Sequence, residues 1–526
     1  MTSRLSTVTT GEISTAADPA MGRDGVISIS MAPAAPPPTP ETPTPETPTG
    51  ETPTEPTTPT LPNNPLDNDD EEPDDIPLAP EETDILRDET NPPQRTELSG
   101  PEATQTLKSF EQDKIQDFSK YFGRALNENE LTVNEVQALL SDIEYQSGNR
   151  LAVVHLKTPQ ASSEQLKAVS MGNPSEEKPE EELEMLLITT DDNPVKISFP
   201  DIDRTELLET IRQFRNNLVT SVRRGGTGYL PPAQQLYQWL IAPMETEFDD
   251  PETIDTLVFV MDEGLRALPV AALHDGEQFL VEKYSLGVVP SLGLLEADYV
   301  PLTRAEVLVM GASDFEQLSP LPAVPLEIDL IHELWPGEAF LNERFTRENL
   351  IEQRSQSPFQ LIHLATHAEF NEGSVDNSYI QLWDEKLRLS DLHQLDWHSP
   401  AVDLLVLSAC STAVGSVEAE MGFAGLSVAS GVRSAMASLW AVDDLGTLAL
   451  MNEFYRNLRR SPLKVDALRT AQLAMLQGDV RNEDGELKNR NPDRAFTLPS
   501  ELETSRVPDF SHPYYWSGFT MIGSPW

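Results

Sequence analysis

Two short apolar runs set the pattern of this chain: FQLIHLATH, Phe359 to His367, and VDLLVLSAC, Val402 to Cys410. Each is rich in Leu, Val and Ile and is bounded by polar or turn-forming residues, which predicts a buried strand. The stretch between them is long enough for a crossover connection, the requirement for two parallel strands. As neighbours in one sheet they would bring His367 and Cys410 out side by side at its carboxyl edge, where open α/β sheets carry their chemistry.

The alternation extends in both directions. Strands are predicted at Leu151 to Leu156, Glu184 to Thr190, Asp255 to Asp262, Ala305 to Ser313 and within SAMASLW, Ser434 to Trp440. Helical spacing covers 104 to 145, where Thr132 and Glu135 form a capping box that starts a helix near 133. It returns in TELLETIRQFRNNL from Thr205, PAQQLYQWLIAPM from Pro232, MGFAGLSVASG from Met421, LGTLALMNEFYRNLRR from Leu445 and DALRTAQLAML from Asp466. Strands alternating with helices imply parallel βαβ units, and no repeat indicates a solenoid. The expected fold is α/β from about residue 100 onward, one compact unit or two sheet-based subdomains with the chemistry in the second. Trp516, Tyr514 and Tyr515 have strand-like aromatic density and are expected to seal the core.

Composition changes the picture at the N-terminus. Proline (44 in all) is concentrated there, in a chain of formal charge -50. Residues 32 to 93 run from PAAPPPTPETPTP into DNDDEEPDD with almost no aromatic or branched apolar side chains. Such a segment cannot bury enough surface to offset its ordering entropy, so residues 1 to 100 are expected to be a disordered, extended linker. A spacer and a docking motif are both open readings of it. The segment TTGEISTAADPAMGRDGVISIS resembles strand sequence, which leaves open that the chain is the tail of a longer, exported protein.

The acidic balance argues against nucleic-acid binding, which needs clustered Lys and Arg. Arg223 and Arg224 form only a short basic turn with Gly225 and Gly226. No run reaches the length of a membrane span and no secretory signal is evident, so the sequence as written reads as cytoplasmic. His393 and His398 lack partners at ligand spacing, so neither a metal nor an organic cofactor is expected. The polar insert SSEQLKAVSMGNPSEEKPEEE is a place for self-cleavage, at Lys167 or Lys178.

Cys410 is the only cysteine. A thiol is a weak nucleophile until its proton is removed, and an imidazole can hold that proton and pass it to a leaving amine. Backbone N–H groups at Cys410 and just after His367, at Ala368, are the candidate oxyanion donors. On pattern alone the alternative stands that Cys410 is a small buried hydrophobe and His363 a core histidine. By strand alternation His363 is placed on the face of Ala365 and His367, in a supporting role.

HLATHAEF, LLVLSACSTAVG, GFAGLSVASGVRSAMASLWAVDD and the terminal HPYYWSGFTMIGSPW together resemble the CHAT family, cysteine peptidase domains related to caspases, gingipains and separases. The resemblance covers about residues 205 to 526, leaving 101 to 204 as an N-terminal α/β extension. It implies a caspase-like, mostly parallel sheet flanked by helices, with His367 as general base and Cys410 as nucleophile. Two features depart from the family. Ala368 stands where relatives usually have Gly, and it keeps the N–H but loses backbone freedom. No tetratricopeptide repeats are seen ahead of the domain, so the usual activation sensor is expected to be missing or to lie on another chain.

In related peptidases the segment after the nucleophile's helix and strand walls the specificity pocket, here SLWAVDDLG, Ser438 to Gly446. Trp440 would form an apolar wall, and Asp443 or Asp444 would attract a basic side chain. Asp444 also has the position of an N-cap for the next helix, which favours Asp443 for specificity. The expectation is a cysteine endopeptidase acting on a protein, with a catalytically silent scaffold or a small-acyl hydrolase as alternatives.

Overall fold

The computed structural model describes residues 92–126, 130–158, 182–222, 225–248, 254–412, 416–489, 495–503 and 510–526. The proposed linker up to residue 91, the Arg223–Arg224 turn and the self-cleavage insert, including both lysines, lie outside them. Quantities below refer to the described residues.

Short continuous apolar runs become strands because burial on both faces leaves the ladder as the partner for backbone N–H and C=O. The strands are β1 (Gln94–Glu97), β2 (Leu151–Lys157), β3 (Leu183–Ile188), β4 (Val195–Phe199), β5 (Thr256–Val260), β6 (Ser285–Val289), β7 (Val307–Gly311), β8 (Gly337–Leu341), β9 (Leu361–Phe370), β10 (Tyr379–Gln381), β11 (Lys386–Arg388), β12 (Leu404–Thr412) and β13 (Ser434–Ser438). A small antiparallel sheet, β14 (Arg481–Glu483), β15 (Glu486–Lys488) and β16 (Phe496–Thr497), precedes β17 (Phe519–Gly523).

All but the small sheet belong to one 14-stranded sheet, in the order β1-β4-β3-β2-β5-β6-β17-β13-β12-β9-β10-β11, with β7 and β8 branching from β9. It is parallel through β2, β5, β6 and β17, and again through β13, β12, β9, β7 and β8. The antiparallel pair β13–β17 joins the two blocks. The alternative of separate sheet-based subdomains is therefore not what is seen: β17, from the C-terminus, bridges them. β1 falls within the span expected to be disordered; it is an exposed edge strand laid antiparallel on β4, a position with little burial to mark it. The aromatic segment at Pro513–Tyr515 is a 3₁₀ turn rather than a strand, although Trp516 is fully buried as expected.

The α-helices of five or more residues are α1 (Gly100–Phe122), α2 (Val133–Ser147), α3 (Arg204–Ser221), α4 (Leu230–Leu240), α5 (Val324–Leu334), α6 (Arg347–Gln356), α7 (Val417–Ala424), α8 (Leu426–Ser430), α9 (Asp444–Leu458) and α10 (Lys464–Leu476). The capping box at α2 is formed: Thr132 accepts from the Glu135 N–H, and the Glu135 carboxylate accepts from the Thr132 N–H at 2.7 Å. α1 packs its last turns on the helix that follows Cys410. Phe118, Met421 and Ala424 make a buried cluster with Tyr121, Phe122 and Leu126 around it. Close approach depends on glycine there, since a Cβ on Gly425 would lie 2.7 Å from the Phe122 ring and one on Gly422 2.9 Å from the Tyr121 hydroxyl.

Candidate active site

The expected pairing is formed. β9 and β12 are parallel neighbours, with Leu404 opposite Leu361 at the start and Ala409 opposite His367 near the end. Cys410 follows, opposite Ala368. The strands do not stop at these residues, however, but continue to Phe370 and Thr412. Ala368 lies between two partners, Cys410 on one side and Ile380 of β10 on the other.

The register contains an irregularity that the apolar pattern did not reveal. Leu407 faces Leu364 and Ala409 faces His367, so Ala365 and Thr366 stand opposite the single residue Ser408. An extra residue of this kind re-aims the side chains beyond it. Alternation therefore cannot carry the face of His363 over to His367, which corrects the expectation that both share one face with Ala365. β7 fits closely against this point. A Cβ on Gly311 would lie 2.6 Å from the Ala365 carbonyl oxygen, and the Ala312 N–H donates to that oxygen at 3.1 Å.

From Ala312 the chain leaves the sheet in a loop that returns to His367. The imidazole Nε2 lies 2.8 Å from the Ser319 carbonyl oxygen. A carbonyl only accepts, so this bond assigns the proton to Nε2 and leaves the lone pair on Nδ1. The Phe315 ring packs on the imidazole at 4.9 Å between centroids. Neither residue was visible as a site residue in the sequence: one acts through its backbone, and the other is an unexceptional loop aromatic.

His363 belongs to the core. It is fully buried; its Nδ1 lies 3.1 Å from the Tyr455 hydroxyl, and its Nε2 stands 2.8 Å from Glu327 of α5, at ion-pair distance without hydrogen-bond alignment. Burial and the nearby Glu327 raise the Tyr455 phenol well above its ordinary value. This cluster ties β9, α5 and α9 together behind the site.

The segment after β13 departs from expectation. Trp440 is 6% exposed; its Nε1 donates to the Tyr514 carbonyl at 2.9 Å, and Gly518 packs against its ring. It is a core residue rather than an open wall. The cap is Asp443, not Asp444: its Oδ1 accepts from the Leu445 and Gly446 N–H groups at 3.1 and 3.2 Å. The helix begins one residue earlier than its apolar pattern, which exchanges the roles of the two acids. Asp444 Oδ2 instead accepts from the Ala323 N–H at 2.6 Å, holding the far end of the loop that carries Phe315 and Ser319. Arg215 of α3 steadies the same segment by donating to the Leu439 carbonyl at 3.2 Å.

Burial raises the Asp444 carboxyl to about 7, with Glu327 and Asp443 adding to the shift and the Ala323 N–H opposing it. The folded protein thus holds a proton there between about pH 4 and 7 that the unfolded chain releases. Stability from this group is lost as pH rises through that window. Asp444→Asn keeps an acceptor for Ala323 without the buried charge. It should stabilise the protein by about 1–3 kcal/mol at pH 8 and have little effect near pH 5, read from denaturant melts at both pH values.

The CHAT domain family model matches residues 230–524, more than half of the chain. The chain belongs to the CHAT domain family. Mouse tetratricopeptide repeat protein 28 is 23% identical over 376 residues, covering 60% of this chain and 14% of that protein. The human protein of the same name is 22% identical over 364 residues, covering 57% and 13%. The chain thus spans a small part of the length of these curated relatives. Among solved structures, the Saccharomyces cerevisiae separase–securin complex at 3.0 Å resolution aligns with a TM-score of 0.45 at 10% identity, over 81% of this chain and 34% of that one. The complex at 2.6 Å gives 0.39 at the same identity and coverage. Likeness at that level carries no residue across.

The CHAT match contains β5 to β17, with His367 and Cys410, but not α1. The helix that braces α7 is therefore an addition to the CHAT domain from its N-terminal side. Among the described residues no group of three or more His, Cys, Asp or Glu is arranged to hold a metal, and no helix is long and apolar enough to cross a membrane.

Proposed function

We propose that this CHAT-domain protein is a cysteine endopeptidase in which Cys410 is the nucleophile and His367 the general base. The observation that carries the reading is the parallel pairing of β9 with β12, which brings His367 and Cys410 to neighbouring strands near one edge of the sheet. The Ser319 carbonyl supports it, because it assigns the His367 proton to Nε2 and leaves Nδ1 as the basic nitrogen.

In this reading Nδ1 takes the thiol proton, and the thiolate adds to the scissile carbonyl carbon. The resulting oxyanion is received by the Ala368 and Cys410 amides, which requires the end of β9 to part from β10 or β12. Collapse breaks the C–N bond as the imidazolium protonates the leaving amine. Water, deprotonated by the neutral imidazole, then hydrolyses the thioester and frees Cys410. A basic residue before the cut is proposed on Asp443, whose cap bonds both use Oδ1, while the half-buried Asp444 is engaged by the Ala323 N–H.

The test is labelling of purified protein by a peptidyl acyloxymethyl ketone bearing Arg. Wild type should be modified at Cys410 and Cys410→Ala should not react. Absence of labelling, while a small alkylating agent still modifies Cys410, would overturn the reading in favour of a silent scaffold. One observation favours that second reading: both strands stay in register beyond the dyad, enclosing Ala368 between β10 and β12.

A further inference from the structure

On the flank of His367 away from Cys410 lies a cavity of about 650 Å³. One wall comes from the β7–α5 loop, with Asp314, Phe315 and Glu316; the other comes from the β10–β11 turn, with Gln381, Trp383 and Asp384. Both walls are tied to the base. Phe315 packs on the imidazole, and the Gln381 carbonyl accepts from the hydroxyl of Thr366, the residue before His367, at 2.6 Å. The walls are also held in place: Asp314 Oδ2 accepts from the Ser313 hydroxyl at 3.1 Å, and the Trp383 N–H donates to the Phe345 carbonyl at 3.0 Å.

We propose that this cavity binds a Lys or Arg side chain on the leaving-group side of the scissile bond. The inference rests on the cysteine peptidase reading for its direction. Strand order puts β13 and its acidic segment beyond β12, and β10 beyond β9. The acyl half of a substrate is retained on Cys410, whereas the leaving amine must approach His367 to receive its proton. The product that departs therefore lies toward β10, where the cavity opens.

The lining chemistry selects the side chain. Its eight residues include three exposed acids and no Lys or Arg, so an incoming cation meets attraction without an internal counter-charge. The half-buried Trp383 and Phe315 offer ring faces, whose negative potential attracts a cation placed over them. An aliphatic stem along the rings with its charge among the carboxylates satisfies both features. An acidic residue at the same place would meet only like charge.

The experiment uses full-length Cys410→Ala protein and four fluorescein-labelled octapeptides that differ only in the residue after the intended cut: Arg, Lys, Gln or Glu. Fluorescence anisotropy should show the Arg and Lys peptides binding about tenfold more tightly than Gln, and Glu more weakly still. The preference should diminish with added salt and be lost in a background that adds Trp383→Ala and Asp384→Asn. Binding of all four peptides within about twofold would overturn the proposal, as would a preference that survives those substitutions. The acyloxymethyl ketone carries no residue beyond the cut, so it reports on the dyad alone. Normal labelling with no peptide preference removes only the cavity proposal. Preference without labelling keeps the cavity as a basic-peptide site and removes the peptidase reading.

Discussion

His367→Ala should lower the rate of Cys410 labelling by about 10²–10⁴-fold while leaving the folded fraction unchanged. The magnitude is that of removing a positioned general base, and the side chain is only half-buried, so truncation opens little cavity. Ser319→Ala is the informative companion. The Ser319 contact to the imidazole is made by the carbonyl oxygen, which any residue supplies, so this variant should label within about twofold of wild type. Phe315→Ala should fall between the two, since it removes the ring that limits imidazole rotation. Equal loss from all three would mean a collapsed loop rather than a missing base.

Asp262→Ala should cost about 3–5 kcal/mol of stability, measured by denaturant melts at pH 7. Lys114 of α1 is 1% exposed, and its Nζ lies 2.5 Å from Asp262 Oδ1; Asp262 Oδ2 also accepts from the Thr158 N–H at 3.0 Å. Burial works against both charges, but Lys114 outweighs it for Asp262 and holds the carboxyl below its ordinary value. The pair's contribution is therefore present above about pH 4 and is lost as pH falls below that. Lys114→Met with Asp262→Ala should recover part of the loss, because no unpaired cation is left inside. α1 also packs on α7, so Asp262→Ala should slow labelling of Cys410 more than its global stability change alone requires.

Much of the sheet was legible because its strands are nearly uniform apolar runs. β2, β3, β5, β7, β9 and β12 lie where Leu, Val and Ile concentrate, β13 falls inside SAMASLW, and α2, α9 and α10 follow their helical spacing. Strands with mixed or short patterns were not distinguished. β8 has only one fully buried residue, and β10 and β11 have three residues each. β6 is interrupted by Gly287, where a Cβ would meet Pro525 at 2.9 Å, so the glycine answers to a contact remote in sequence.

The site divides in the same way. Composition and spacing alone reveal a His-ended and a Cys-ended apolar run with a crossover's length between them, and local burial was enough to make both strands. The extra residue at Ala365–Thr366, the Ser319 carbonyl that assigns the His367 tautomer, and the exchange of roles between Asp443 and Asp444 emerge from the folded arrangement. Each depends on a backbone group or on a partner more than forty residues away, apart from the cap, which depends on where α9 begins. Periodicity reports which side chains avoid water. It does not report which N–H or C=O is left over to meet them.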